Sequence, residues 1–213
     1  MTLLATIISR TQAQLLDDGT LFTTATVTSA VRQALRDFNQ RAPMNGAEIV
    51  AVVAAQKSYK LTGGTFPTLI LDILDVLKND DTNEDDEPLD FDKNFENNDL
   101  YIRLRTAESS GNLLIRYTYS HTVNGLDDET ESTMNTEQDQ ILVDGACAYA
   151  CRTRATGIIE NNNLTQESVD GYERAAKRFM LTFNYGLERF ASRPMPASEK
   201  RTTSWLADTD SAI

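Results

Sequence analysis

The apolar residues Val169, Tyr172, Ala175, Ala176, Phe179, Met180, Phe183, Leu187 and Phe190 recur at steps of three and four without a break. That period specifies a long amphipathic helix, and its apolar face must be buried against another element. Thr165 is its expected N-cap. Pro194 and Pro196 end it. The rest of the chain has to supply the covering surface. Residues 141–158 do so with small side chains: Gly145, Ala146, Cys147, Ala148, Ala150 and Cys151. Small residues let helices approach closely, so this second helix is expected to be central. Asn135 with Gln138 three residues on has the pattern of a capping box at its start.

The N-terminal part adds two more amphipathic helices. Leu3, Leu4, Ile7, Ile8, Leu15 and Leu16 fall on one face, and Asp17-Asp18-Gly19 ends the segment, with Gly19 suited to a left-handed position. Val27, Val31, Ala34, Leu35 and Phe38 form the second face. Thr26 or Thr28 is its expected N-cap, and Pro43 marks its end.

Between the helix pairs the pattern changes to β. Glu48-Ile49-Val50-Ala51-Val52-Val53-Ala54-Ala55 is rich in β-branched residues, and Lys57-Ser58-Tyr59-Lys60-Leu61 alternates. Gly63-Gly64 and Pro67 punctuate. Residues 69–78 fit either a strand or a short helix, which periodicity does not separate. Residues 79–92 are strongly acidic and are expected to be a solvated loop. Residues 101–105 and 113–119 read as strands around a turn-like Glu108-Ser109-Ser110-Gly111-Asn112, which predicts an antiparallel hairpin.

The expected class is therefore α+β. A helical bundle comes from the N- and C-terminal helices (residues 1–45 and 133–192). An antiparallel β-subdomain with the acidic loop is inserted at 46–132, and 193–213 form an extended C-terminal arm. The arm has no periodicity and carries Trp205 beside Leu206. It is either a frayed terminus or a segment that orders on a partner, with Trp205, Leu206 and Ile213 as the partner-binding residues.

At 213 residues, 40% hydrophobic and 24% charged, the chain has the composition of a soluble domain with a core of its own. No apolar run approaches the roughly 18 residues needed to span a bilayer. The first residues lack a basic region and do not read as a signal peptide, so a cytoplasmic setting is expected. The net charge of -12 speaks against a DNA-gripping surface, which needs clustered Lys and Arg. Its first reading is solubility, and it does not speak against a wall that DNA slides past.

The residues for catalysis are sparse. His121 is the single histidine, so a Ser-His or Cys-His system would have to use it, and nothing nearby completes one. Its position after a strand suggests a hydrogen-bonded structural role. Cys147 and Cys151, at i and i+4, read as small buried hydrophobes. Asp81-x-Asn83-x-Asp85 with Asp92 in twelfth place imitates a calcium loop, but Asp86 stands where glycine is needed and Pro88 where a backbone ligand is expected. Gly63-Gly64 lacks the Lys-Ser/Thr of a phosphate loop. Asn163-Leu164-Thr165 has the glycosylation pattern, without consequence in a cytoplasm. No catalytic, cofactor or metal residue is assigned, and no enzyme activity is expected.

One ordered string of motifs remains. Leu100-Tyr101-Ile102-Arg103-Leu104 is followed by Leu113-Leu114-Ile115-Arg116-Tyr117-Thr118-Tyr119-Ser120-His121. Next comes Gly125-Leu126-Asp127-Asp128-Glu129-Thr130, and then a capped helix with Val143-Asp144-Gly145-Ala146-Cys147-Ala148-Tyr149-Ala150 and Arg152-Thr153-Arg154-Ala155. Upstream stand Val31-Arg32-Gln33-Ala34-Leu35-Arg36-Asp37-Phe38, Pro43 and Tyr59-x-Leu61. In this order, over most of residues 26–190, the chain resembles the head-tail connector (neck adaptor) proteins of tailed bacteriophages. It departs from them in lacking the proline that often follows the aromatic-x-Leu.

The resemblance implies a structural virion protein, without enzyme activity or cofactor. It would form a ring, usually of twelve subunits, in the virion neck, assembled in the host cytoplasm. Its partners would be copies of itself, the portal protein and a tail or neck protein. Double-stranded DNA would pass through without sequence-specific binding, and no membrane is involved. Another neck or tail ring protein, such as a tail terminator, is the alternative. The helix pairs at both ends favour the adaptor.

Overall fold

The computed structural model describes residues 3–17, 19–61, 63, 66–67, 69–79, 87–96, 99–161 and 166–191. They form an α+β protein with four helices and two antiparallel sheets. By contacts the chain divides into two compact units. One contains residues 1–43 and 121–192, the other residues 44–120 together with 193–213.

The first unit holds the helices α1 (Leu4–Gln14), α2 (Thr24–Arg41), α3 (Thr136–Asn161) and α4 (Gln166–Phe190). α3 packs against α1, α2 and α4. It is accordingly buried nearly all round from Ile141 to Ala150, with only Tyr149 partly open. Such a helix shows no single apolar stripe in sequence. Close approach depends on Gly145. A Cβ there would lie 2.9 Å from the Ala34 Cβ on α2 and 2.8 Å from the Phe183 ring on α4. The helix starts on the capping box that the sequence suggests: the Asn135 N–H donates to Gln138 Oε1 (2.9 Å) and the Gln138 N–H to Asn135 Oδ1 (3.0 Å). One apolar cluster, including Ile7, Val31, Phe38, Leu142, Phe183 and Leu187, joins all four helices.

Two helix-end assignments change. The cap of α2 is Thr23, whose hydroxyl accepts from the Thr26 N–H (3.3 Å), rather than Thr26 or Thr28. α1 closes on Leu16 rather than Gly19. The Leu16 N–H donates to the Ala13 carbonyl (3.1 Å) and the Asp17 N–H to the Gln12 carbonyl (3.0 Å), which is the Schellman pattern with Leu16 in the left-handed position at φ 55°. Gly19, at φ 93°, serves the following turn. The expected cap Thr165 lies outside the described residues.

The second unit contains β1 (Met44–Ala51), β2 (Ser58–Lys60), β3 (Ile70–Asn79), β4 (Glu87–Pro88), β5 (Phe91–Glu96), β6 (Asp99–Leu104) and β7 (Asn112–Tyr119). One sheet has the order β1-β7-β3-β4 and the other β2-β6-β5. The expected β6–β7 hairpin is not formed. β7 pairs with β1 and β3, and β6 with β2 and β5. Both strands carry an apolar inner face, Leu100, Ile102 and Leu104 on β6 and Leu113, Ile115 and Tyr117 on β7. These meet in one core, as facing sheets do, instead of lying side by side.

The ambiguous stretch 69–78 is strand β3, with register shifts between Ile70 and Asp72 and between Ile73 and Asp75. Residues 79–92 are not all loop. Asn79 ends β3, Glu87 and Pro88 form β4, and Phe91 and Asp92 open the edge strand β5. The acidic edge is consistent with β structure because Asp92, Asn94 and Glu96 alternate with Phe91, Lys93 and Phe95 and can remain in water. The strongest charge run, residues 80–86, lies outside the described residues.

Candidate functional site

A groove of ≈ 950 Å³ runs along α4 on the helical unit. It is built from the end of α1 with the turn after it, from α3 and from α4. α4 supplies Tyr172, Arg174, Ala175, Arg178, Phe179 and Thr182, the end of α1 supplies Leu15 and Leu16, and Phe22 forms part of the floor. The turn after α1 places Phe22. Asp17 accepts from the N–H groups of Leu21 (3.1 Å) and Phe22 (2.8 Å), and Gln12 Nε2 donates to the Phe22 carbonyl (2.8 Å). Desolvation pushes the Asp17 carboxyl up, but hydrogen bonds from Phe22, Leu21, Gly19 and Thr20 outweigh it and hold its pKa below the ordinary value. Phe22 in turn meets Tyr172 edge to face, with ring centroids 6.1 Å apart.

The groove has apolar walls and a basic side. Leu16 stands at its edge almost entirely in solvent, 95% exposed. A leucine in the left-handed region costs roughly 1 kcal/mol over glycine, so this position gives up both backbone energy and burial. Arg174 and Arg178 are exposed one helical turn apart. The Arg174 Nε donates to the Asp170 carbonyl (3.2 Å). At the opposite wall Asp144 accepts from Gln14 Nε2 (2.7 Å) and Gln140 Nε2 (3.3 Å).

His121, Cys147, Cys151 and Tyr149 are packed into the helical unit. His121 is 4% exposed and lies edge-on to Phe38, with centroids 5.1 Å apart. Its backbone exchanges hydrogen bonds with the Asn39 amide, and Nδ1 lies 3.3 Å from Thr133 Oγ1. Burial lowers its pKa, against a hydrogen bond to the Ala42 backbone that raises it. Cys147 and Cys151 are buried and not joined. Burial pushes both thiols up, Cys151 to about 11, which removes thiolate character. Burial and a hydrogen bond to Asp37 push the Tyr149 phenol to about 12. Among the described residues no three His, Cys, Asp or Glu side chains gather as a metal site. Of the calcium-like positions, Asp92 lies on β5 with Arg105 3.6 Å away, and Asp81, Asn83, Asp85 and Asp86 lie outside the described residues. No described helix is long and apolar enough to cross a membrane.

Trp205, Leu206 and Ile213, the partner-binding residues expected from the sequence, lie outside the described residues, as does the sequon at 163–165. The groove itself was missed by sequence reasoning. Its one legible signal is the Arg174/Arg178 pair flanking the apolar stripe of α4. No protein-family model and no curated protein matches the chain.

Proposed function

We propose that the chain is a head-to-tail adaptor of a tailed-bacteriophage neck. In this reading it is a structural ring subunit that joins the portal to the tail or to the next neck ring. The observation that carries the reading is the ordered motif string over residues 26–190, ending in the capped, small-residue helix α3. The element order supports it: two helices, a block of strands, then two helices. In this reading the four helices act as a bundle, the strands are an inserted subdomain, and residues 193–213 are an arm for partner contact. The protein works by binding alone, without cofactor or catalysis, in the virion neck after assembly in the host cytoplasm.

Twelve copies would close a ring through heterologous contacts, in which one surface of each subunit meets a different surface of the next. The acidic balance suits a channel for duplex DNA, which carries one charge per about 1.7 Å of axis and would be gripped by a basic wall. Acidic or neutral side chains are therefore expected to face the lumen.

Electron microscopy of the purified protein with portal tests this. The expected result is a ring stacked beneath the portal, its lumen poor in Lys and Arg. A stable monomer that ignores portal and tail proteins would overturn the reading.

A further inference from the structure

α4 carries apolar residues on two sides. Its inner face, with Phe179, Phe183 and Leu187, packs on the helical core. On its outer face Leu181 and Tyr185 are each 71% exposed, one turn apart. A single exposed leucine is ordinary on a protein surface. These two belong to a longer pattern. Arg174, Arg178, Leu181, Tyr185 and Glu188 follow one another at steps of four, three, four and three, and all are exposed. That is the spacing of a coiled-coil seam. At 3.6 residues per turn they lie within about 40° of one line along the helix. We propose that two copies of the chain associate through this face, α4 against α4 in antiparallel orientation, about a two-fold axis at Leu181.

The order of charges selects this occupant. The seam is basic at its N-terminal end, apolar in its middle and acidic at Glu188. Laid antiparallel against a second copy, each end meets its opposite. Leu181 meets Leu181 of the second copy at the axis. Arg178 of each copy lies beside the Tyr185 ring of the other, a cation–π arrangement. Arg174 of each copy faces Glu188 of the other, and the exposed Lys177, on the same flank as Glu188, reaches the same carboxylate. Arg189, on the other flank, is drawn instead to Glu137 of its own chain, 3.8 Å away. A parallel arrangement would set Arg174, Arg178 and Glu188 each against itself, which like charges oppose. A contact one helix wide and roughly 21 Å long falls short of the ~800 Å² per partner of a standard interface. The dimer is therefore expected to be weak and concentration-dependent. It joins the same surface of both copies, whereas a ring needs two different surfaces. The proposal goes beyond the neck reading and does not depend on it.

Sedimentation velocity of the full chain at low salt, over a concentration series reaching the high micromolar range, should show a monomer–dimer equilibrium that weakens as salt is added. R174E and E188R should each move the midpoint several-fold toward monomer, because each brings like charges together at two symmetry-related points. The swapped variant R174E/E188R should return the midpoint close to that of the unmodified protein. The two positions are about four turns apart on one helix, so recovery identifies a contact between copies. Circular dichroism melting checks that each variant folds. Oxidative cross-linking reads the orientation. Cys147 and Cys151 are buried, so an introduced exposed thiol is the reactive one. L181C should cross-link to itself, and R174C should cross-link only when mixed with E188C. A monomer at every concentration would overturn the proposal. So would association that R174E leaves unchanged, a folded double variant without recovery, or R174C that cross-links to itself.

Discussion

His121 illustrates how one buried group sets a pH limit on the helical unit. The ring is enclosed by Phe38 and held by Thr133, and its backbone is fastened to Asn39. Desolvation disfavours the charged form, so the folded-state pKa lies below the ordinary 6.5. The sign follows from proton counting. Above 6.5 both states are neutral and stability does not depend on this residue. As pH falls through 6.5 the unfolded chain takes up the proton first, so stability declines until the folded pKa is reached. The slope in that window is at most about 1.4 kcal/mol per pH unit. Urea unfolding at pH 7.5 and at pH 5.5 should show the loss in the wild type and a smaller one in H121Q. The depressed carboxyl of Asp17 acts in the same direction at lower pH: its stabilisation is present above the ordinary 3.8 and lost as pH falls through the folded value. Equal pH dependence of wild type and H121Q would show that the imidazole is not the group responsible.

At the scale of elements, Gly145 decides how closely α3 approaches its neighbours. Alanine there would gain about 1 kcal/mol of helix propensity. Its Cβ would, however, meet the Ala34 Cβ at 2.9 Å, an atom fixed to the α2 backbone, and the Phe183 ring at 2.8 Å. Overpacking of this kind costs roughly 1–3 kcal/mol. G145A is expected to lower stability by about 1 kcal/mol net, seen as a lower urea midpoint, and a stabilised variant would mean that the helices have room to part. The importance of this position is visible in the sequence, because Gly145 lies in a run of small residues. So is the capping box, because Asn135 and Gln138 are local partners. The partners of β6 and β7 are not visible there. Alternation shows which side chains face a core. Ile102 on β6 and Ile115 on β7 fit the same alternation whether their strands lie side by side or in facing sheets, and only the tertiary fold distinguishes the two. β5 was hidden because Asp92, Asn94 and Glu96 gave an edge strand the composition of a loop. The groove was hidden for a related reason. Its walls come from α1, Phe22, α3 and α4, and the left-handed Leu16 was masked by Gly19, a residue with better intrinsic preference for that conformation.

At the scale of the whole molecule, the two units have cores that share no residue. The helical cluster draws on residues of 1–43 and 121–192, and the β cluster on residues of 44–120. The chain enters and leaves the β unit on neighbouring strands, since Met44 and Tyr119 are register partners on β1 and β7. Partners across an antiparallel pair have Cα atoms only about 4.5–5.5 Å apart. A short Gly-Ser linker can therefore replace residues 44–120 and join Pro43 to His121 without stretching the chain. The excised protein is expected to show helical circular dichroism and one cooperative thermal transition, because its apolar cluster is complete without the strands. A broad, non-cooperative melt with exposed apolar surface would show that the helices depend on the β unit for their packing. The same variant also bears on the neck reading, by mixing with portal. If the excised protein still forms rings, the contacts that close the ring lie on the helices. If it folds but stays monomeric while the full chain forms rings, they require the β unit.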